Sequence, residues 1–284
     1  MNTARVTPPR TGRAYLDDVG SVDGGGSTGV LAFAHRGGAY HPGLEGLENT
    51  MAAFRHAAGL GYGYLETDVH VTSDGVLLAF HDRVLDRVTD RRGEIGSLTH
   101  AEVEEALVGG RERVPTLASL VEAFPTARLN IDLKSERAVA ALAAFVEEYA
   151  VHDRVLVGSF SPRRLNAFRR LTAGRVATSA HPGEIAAFRL LPSGRLADRV
   201  TRGRVAALQV PHRRHGFTIT TPGLVRRAHA AGKHVHVWTI DDPAEMRLLL
   251  DRGVDGLMTD RTDLLRAVLT ERGQWIQHDG GTSR

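Results

Sequence analysis

The stretch Leu129-Asn130-Ile131-Asp132-Leu133-Lys134 carries two patterns at once. Alternate residues of an extended strand project to opposite sides, so Leu129, Ile131 and Leu133 share one face and Asn130, Asp132 and Lys134 the other. The apolar face needs a layer packed on it. The face of amide, carboxylate and ammonium groups is costly to bury unless its members pair or bind something. Both demands are met if the apolar face lies under helices and the polar face points into a closed sheet, near its open end. Tyr64-Leu65-Glu66-Thr67-Asp68-Val69 repeats the device, with Glu66 and Asp68 two residues apart and so on one side.

Outward from these two strands the chain alternates. Short β-branched or apolar runs fall at Val30–His35, Tyr64–Val69, Arg128–Leu133, Arg154–Ser159, Arg175–Ser179, Val205–Val210, His234–Thr239 and Val254–Met258. Helical spacing separates them at Thr50–Leu60, Thr116–Phe124, Glu136–Tyr149, Pro162–Leu171, Pro222–Ala231, Pro243–Arg252 and Asp260–Thr270. Pro162, Pro222 and Pro243 stand at helix starts, where a missing N–H costs nothing. Strand–helix alternation predicts a parallel sheet, and eight strands predict closure into a single (β/α)8 TIM barrel. A doubly wound open sheet is the alternative, but no glycine-rich dinucleotide loop follows the first strand. Ser73-Asp74-Gly75 reads as a tight turn into a short extra strand, Val76–Phe80, after strand 2. Residues 90–114 read as irregular, with one helix at His100–Leu107 and no large insertion domain. The expected organisation is a disordered leader over residues 1–29, a barrel over 30–270 and a loose polar tail over 271–284.

Composition bounds the function. The 284 residues are 42% hydrophobic with a formal net charge of +3. That charge, with no dense basic run carrying interleaved aromatics, argues against a nucleic-acid partner. No run approaches the ~20 apolar residues that span a bilayer, so no stable membrane insertion is expected. There is no cysteine. Disulfides, thiolate metal sites and a cysteine nucleophile are therefore excluded, and a cytoplasmic setting is compatible.

Two like-charged carboxylates side by side raise each other's pKa unless a cation stands between them. Glu66 and Asp68 are therefore either paired with the plentiful arginines or bound to a metal. Asp132 offers a third oxygen, or else an internal ion pair with Lys134. Three carboxylates without sulfur suit a hard divalent cation, Mg²⁺ or Ca²⁺. His35 ends the first strand and His81 the extra one. Two histidines beside a carboxylate cluster are the parts of general acid–base chemistry at a phosphodiester. Arg36, followed by Gly37 and Gly38, is placed to meet a phosphate.

These residues resemble the glycerophosphodiester phosphodiesterase family. The resemblance lies in His35-Arg36-Gly37, Glu48-Asn49-Thr50, Glu66-Thr67-Asp68, Ser73-Asp74-Gly75 with His81-Asp82, and Asn130 to Lys134. It continues through Val235-His236-Val237-Trp238-Thr239-Ile240-Asp241-Asp242, Gly253 to Gly256 and Thr259-Asp260. It implies a TIM barrel that cleaves a small-molecule glycerophosphodiester to glycerol 3-phosphate and an alcohol. By the same resemblance, Glu66, Asp68 and Asp132 would hold one divalent cation. His35 and His81 would be the general base and acid. Arg36 and Lys134 would bind the phosphate, Glu48 would lie near the metal or the glycerol, and Trp238 would line the glycerol pocket. Three features depart from the family pattern: Asp132 in place of glutamate, a first loop lengthened by Tyr40-His41-Pro42-Gly43, and Leu47 in place of proline. The rival functions are a phospholipase C-like or sphingomyelinase D-like barrel acting on lipid, and a catalytically silent phosphodiester-binding barrel.

Overall fold

A computed structural model describes residues 8–17 and 29–278. Eight parallel strands form the barrel: β1 (Leu31–Ala34), β2 (Tyr64–Val71), β3 (Arg128–Leu133), β4 (Val155–Gly158), β5 (Ala177–Thr178), β6 (Ala207–Pro211), β7 (His234–Trp238) and β8 (Gly256–Thr259). They pair in the order β5-β4-β3-β2-β1-β8-β7-β6. A parallel bridge between Ser179 and Ala207 closes the ring, with Ala206 N donating to Thr178 O and Ala180 N to Ala207 O, each at 2.9 Å. All eight predicted strands are present.

Side-chain parity behaves as read from the sequence. Leu129, Ile131 and Leu133 are 1% exposed or less and join the outer core beneath the helices, while Asn130, Asp132 and Lys134 line the barrel mouth. Helices start where short side chains satisfy free N–H groups: Thr50, Thr116, Ser161, Thr221 and Asp242 each accept from the backbone three residues on. Two helices were not foreseen, Pro182–Leu190 and Gly194–Val200, between β5 and β6. The first is capped by His181 in a capping box with Glu184. Histidine is an uncommon cap, so the start signal is weak.

The extra strand is Leu77–Ala79, antiparallel to β2 with Val69 opposite Ala79. The following segment closes a small core of its own, including Leu78, Phe80, Leu85, Ile95, Val103 and Val108. It contains the helix His100–Glu104 and the ribbon Leu107–Val108 with Glu112–Arg113. No large inserted domain is present among the described residues.

The structure describes part of each expected end segment. Residues 8–17 of the expected leader are ordered and seal the N-terminal mouth of the barrel. Tyr15 and Leu16 are about 1–2% exposed, and Tyr15 packs edge-on against Tyr64 at 5.4 Å. Tyr64 Oη donates to Tyr15 O, and His234 Nε2 lies 2.9 Å from Pro9 O. The open barrel end supplies the apolar surface that a short polar segment cannot supply for itself. Residues 271–278 of the expected tail also dock: Trp275 packs on Tyr62 at 5.1 Å and Ile276 is buried. Residues 1–7, 18–28 and 279–284 of those two segments lie outside the described residues. No helix among the described residues is long and apolar enough to cross a membrane.

His236 is fully buried against Phe33 in the barrel interior, and burial, then His234, holds its pKa well below the ordinary 6.5. The folded state therefore keeps it neutral while the unfolded state takes up a proton below about pH 6.5. Stability should be complete above that pH and fall as pH drops through it, by at most ~1.4 kcal/mol per pH unit from this residue. Denaturant unfolding between pH 5 and 7 should show a shallower decline for His236→Gln than for the parent.

Candidate active site

The C-terminal ends of the strands open into a cavity of about 560 Å³. His35, Arg36, Glu66, Asp68, His81, Asp132, Lys134 and Trp238 all line it. Glu48 does not. Both its oxygens face guanidinium groups, Arg36 at 3.1 Å and Arg87 at 2.6 and 2.8 Å, behind the cavity wall.

Strand register explains the cluster. Asp68 on β2 is the direct partner of Asp132 on β3, so their side chains emerge together. The hairpin adds His81, because Phe80 N pairs with Asp68 O at 2.9 Å and the next residue leaves the sheet at the same level. His35 follows β1 in a tight turn. Arg36 there adopts φ 49°, unusual for a residue with a side chain, and its N–H donates to Glu66 Oε2 at 3.0 Å. Gly37 and Gly38 also have positive φ. A Cβ on either would lie within 2.7 Å of Ala53 or Thr262 atoms, so these glycines serve close packing of the turn on two helices.

Each histidine is fixed by its own carboxylate. His35 Nδ1 lies 2.9 Å from Asp260 Oδ1 and His81 Nδ1 lies 2.6 Å from Asp82 Oδ1. A carboxylate only accepts, so each Nδ1 carries the proton and each Nε2 is left as an acceptor in the neutral ring. Burial opposes protonation of His35, but Glu66 and Asp260 outweigh it and raise its pKa.

The acidic residues sit in unequal fields. Burial, then the Asp68 charge, pushes the Glu66 carboxyl up to about 7. Asp68 is equally buried, yet Lys134 and Arg36 hold it down to about 2. Lys134 Nζ stands 2.7 Å from Asp132 Oδ2 and 2.9 Å from Asp68 Oδ1, and Arg36 Nε is 3.2 Å from Asp68 Oδ2. The internal ion pair anticipated for Asp132 and Lys134 is thus present. No three acidic or histidine side chains among the described residues already converge on one point as ligands. The donor set nevertheless fits a hard cation: oxygen donors only, from neighbouring strands, with Glu66 short of positive charge.

Several contributors were not singled out as site residues. Asp260 orients His35, and is itself set by Asp241, whose carboxylate accepts from Asp260 N and Thr259 Oγ1 at 2.8 Å. Gln209 reaches inward and donates to Asn130 Oδ1 at 2.7 Å. Arg87 links the turn of Arg36 to that of His81: it grips Glu48, which holds Arg36, and its Nε is 2.5 Å from Asp82 Oδ2, which holds His81. His212 is buried and bonded to Glu245 and Arg252. For Asp260, the Thr-Asp pair at a strand end was the available signal. For Arg87 there was none, because one arginine among many marks nothing until its partners are known.

Residues 35–264 match the glycerophosphoryl diester phosphodiesterase family, and the chain belongs to it. A probable glycerophosphodiester phosphodiesterase 2 from Mycobacterium tuberculosis is 42% identical, over 89% of this chain and 98% of its own. A lysophospholipase D from Rattus norvegicus is 27% identical over 83% of this chain and 85% of its own. Among solved structures, an Oleispira antarctica phosphodiesterase in complex with the product sn-glycerol-3-phosphate superimposes with a TM-score of 0.70 at 25% identity, covering 85% of this chain and 97% of that one.

The Arg87 bridge predicts a measurable effect. Arg87→Ala should lower kcat/KM on the order of tenfold to a hundredfold, as loss of an orienting partner does at metal sites. Arg87 is about half exposed, so the melting temperature should move little. Arg87→Lys should restore only part of the loss, because an ammonium cannot reproduce the two-pronged contact with Glu48. Equal activity in Arg87→Ala and the parent would remove Arg87 from the site.

Proposed function

We propose that this chain hydrolyses glycerophosphodiesters to glycerol 3-phosphate and an alcohol, with His35 and His81 carrying protons and a divalent cation held by Glu66, Asp68 and Asp132. The observation that carries the reading is the pair of carboxylate-held histidines, both lining one cavity beside that acidic cluster. A relative of like fold that holds sn-glycerol-3-phosphate as product supports the substrate class.

In this reading the phosphate lies between the two Nε2 atoms. One accepts a proton from an attacking glycerol hydroxyl and the other returns one to the departing alcohol oxygen; water then opens the cyclic phosphate, with the two proton transfers reversed, to give glycerol 3-phosphate. Asp260 and Asp82 keep the rings in the required tautomer and stabilise the imidazolium each forms in turn. Lys134 and Arg36 offset charge on the phosphate oxygens. The cation, Mg²⁺ or Ca²⁺, would supply Lewis-acid polarisation of the phosphate. Lys134 would then share Asp68 and Asp132 with it. Asp132, a methylene shorter than glutamate, would hold the ion directly or through a bridging water.

The test is release of glycerol 3-phosphate from several glycerophosphodiesters, with and without EDTA, by the parent, His35→Ala and His81→Ala. Each mutant and the chelated enzyme should lose at least about a hundredfold in kcat. Full activity in any of the three would refute that part of the assignment. Calorimetric titration with Mg²⁺ or Ca²⁺ should show binding that weakens at least roughly tenfold in Asp132→Ala, the loss of one charged ligand.

A second reading is favoured by the far wall of the cavity. There Phe160, Ile185, Pro211 and Ile219 form an apolar surface, suited to a diester whose glycerol carries a hydrocarbon chain. The name of the lysophospholipase D relative points the same way. Octanoyl-glycerophosphocholine and glycerophosphocholine, compared by kcat/KM at concentrations below micelle formation, decide between the readings: preference for the acylated ester by tenfold or more favours the second.

A further inference from the structure

One lip of the cavity mouth is basic and apolar, and the two chain segments that form it carry no carboxylate of their own. Residues 205–240 contain no aspartate or glutamate, and neither do residues 185–197. The first stretch carries the ribbon Arg213–Arg214 with Phe217–Thr218, whose tip, Arg213-Arg214-His215-Gly216-Phe217, is exposed throughout. The second contains most of the helix Pro182–Leu190. Arg189 on that helix bonds to Thr218 O at 3.4 Å and Thr221 Oγ1 at 3.2 Å, so the helix end and the ribbon form one continuous edge. Arg189 and Arg214 also line the cavity.

Large apolar side chains stand out along this edge. Phe217 is 73% exposed and Leu190 is 80% exposed, and Phe160, beside Trp238 at the mouth, is 56% exposed. The edge is held firmly from below. Phe188 is buried, and Glu184 forms a two-pronged pair with buried Arg169 at 2.7 and 3.0 Å. The tip arginines have no acidic partner among the described residues, whereas Arg36 and Arg87 each have two and Arg169 has one. Exposed aromatic and aliphatic groups flanked by unpaired arginines suit the boundary of an anionic bilayer. There the apolar groups enter the acyl region and the guanidinium groups meet headgroup phosphates.

We propose that this lip, centred on Phe217, Leu190, Arg213 and Arg214, docks the protein reversibly on an anionic lipid surface, with the cavity mouth facing the surface. This is attachment without spanning, and it stands whether or not the assigned chemistry does.

The experiment is sedimentation of the full chain with sucrose-loaded vesicles of phosphatidylcholine alone, or with phosphatidylglycerol added, at low and physiological salt. Binding should require phosphatidylglycerol and weaken as salt rises. Phe217→Ser combined with Leu190→Ser should weaken it at least tenfold. Arg213→Glu should weaken it about fivefold or more, the effect of one cation near an anionic surface. The same variants should melt at the parent's temperature, which shows that they are folded. The proposal fails if anionic vesicles bring down no protein, if neutral vesicles bring down as much, or if these variants bind as the parent does.

Discussion

The structure depends on placing charge inside the mouth of a closed barrel. Glu66, Asp68 and Asp132 emerge from two paired strands, and Asp68 and Asp132 are in direct register. Such a group is unstable in isolation, because buried carboxylates repel one another and lose hydration. Lys134 and Arg36 supply the nearest counter-charge, and they supply it unevenly. Asp68 takes both and is held ionised, while Glu66, pushed up by burial and by the Asp68 charge, is drawn back only by the more distant charges of His35 and Arg36 and by one backbone N–H.

Much of the surrounding structure supports that cluster. The turn after β1 is bent tightly enough to aim the Arg36 N–H at Glu66. Gly37 and Gly38 let it lie on two helices at distances no side chain would tolerate. The hairpin after β2 brings His81 back to the level of Asp68. Beyond these, Glu48, Arg87 and Asp82 form an outer ring of ion pairs that links the two turns. A change at one edge is therefore felt at the other.

The cavity is uneven in another way. The ring order places β1 to β3, which carry the charged groups, on one arc, and the apolar wall on the arc that begins at the neighbouring β4 and runs through β5 to β6 on the opposite side. The helix Pro182–Leu190 makes this possible: one of its faces is pinned by Glu184 and Phe188, and the other is free to form the wall and the exposed lip.

The sequence by itself determined the strands, their inward and outward faces, and most of the charged side of the site. It could do so because side-chain parity is local: Asp132 points where its strand neighbours force it to point. The order of the His-Arg-Gly, Glu-Thr-Asp and His-Asp segments carried the rest of that reading. Only the tertiary structure decided that Tyr15 is buried and Trp275 half-buried, that Glu48 serves Arg36 and Arg87, and that Arg87 joins Glu48 to Asp82, the support of His81. It also decided that helix Pro182–Leu190 forms a wall. Each of these rests on contact between residues far apart in the chain, and a residue's own neighbours in sequence hold no record of what closure of the barrel brings beside it.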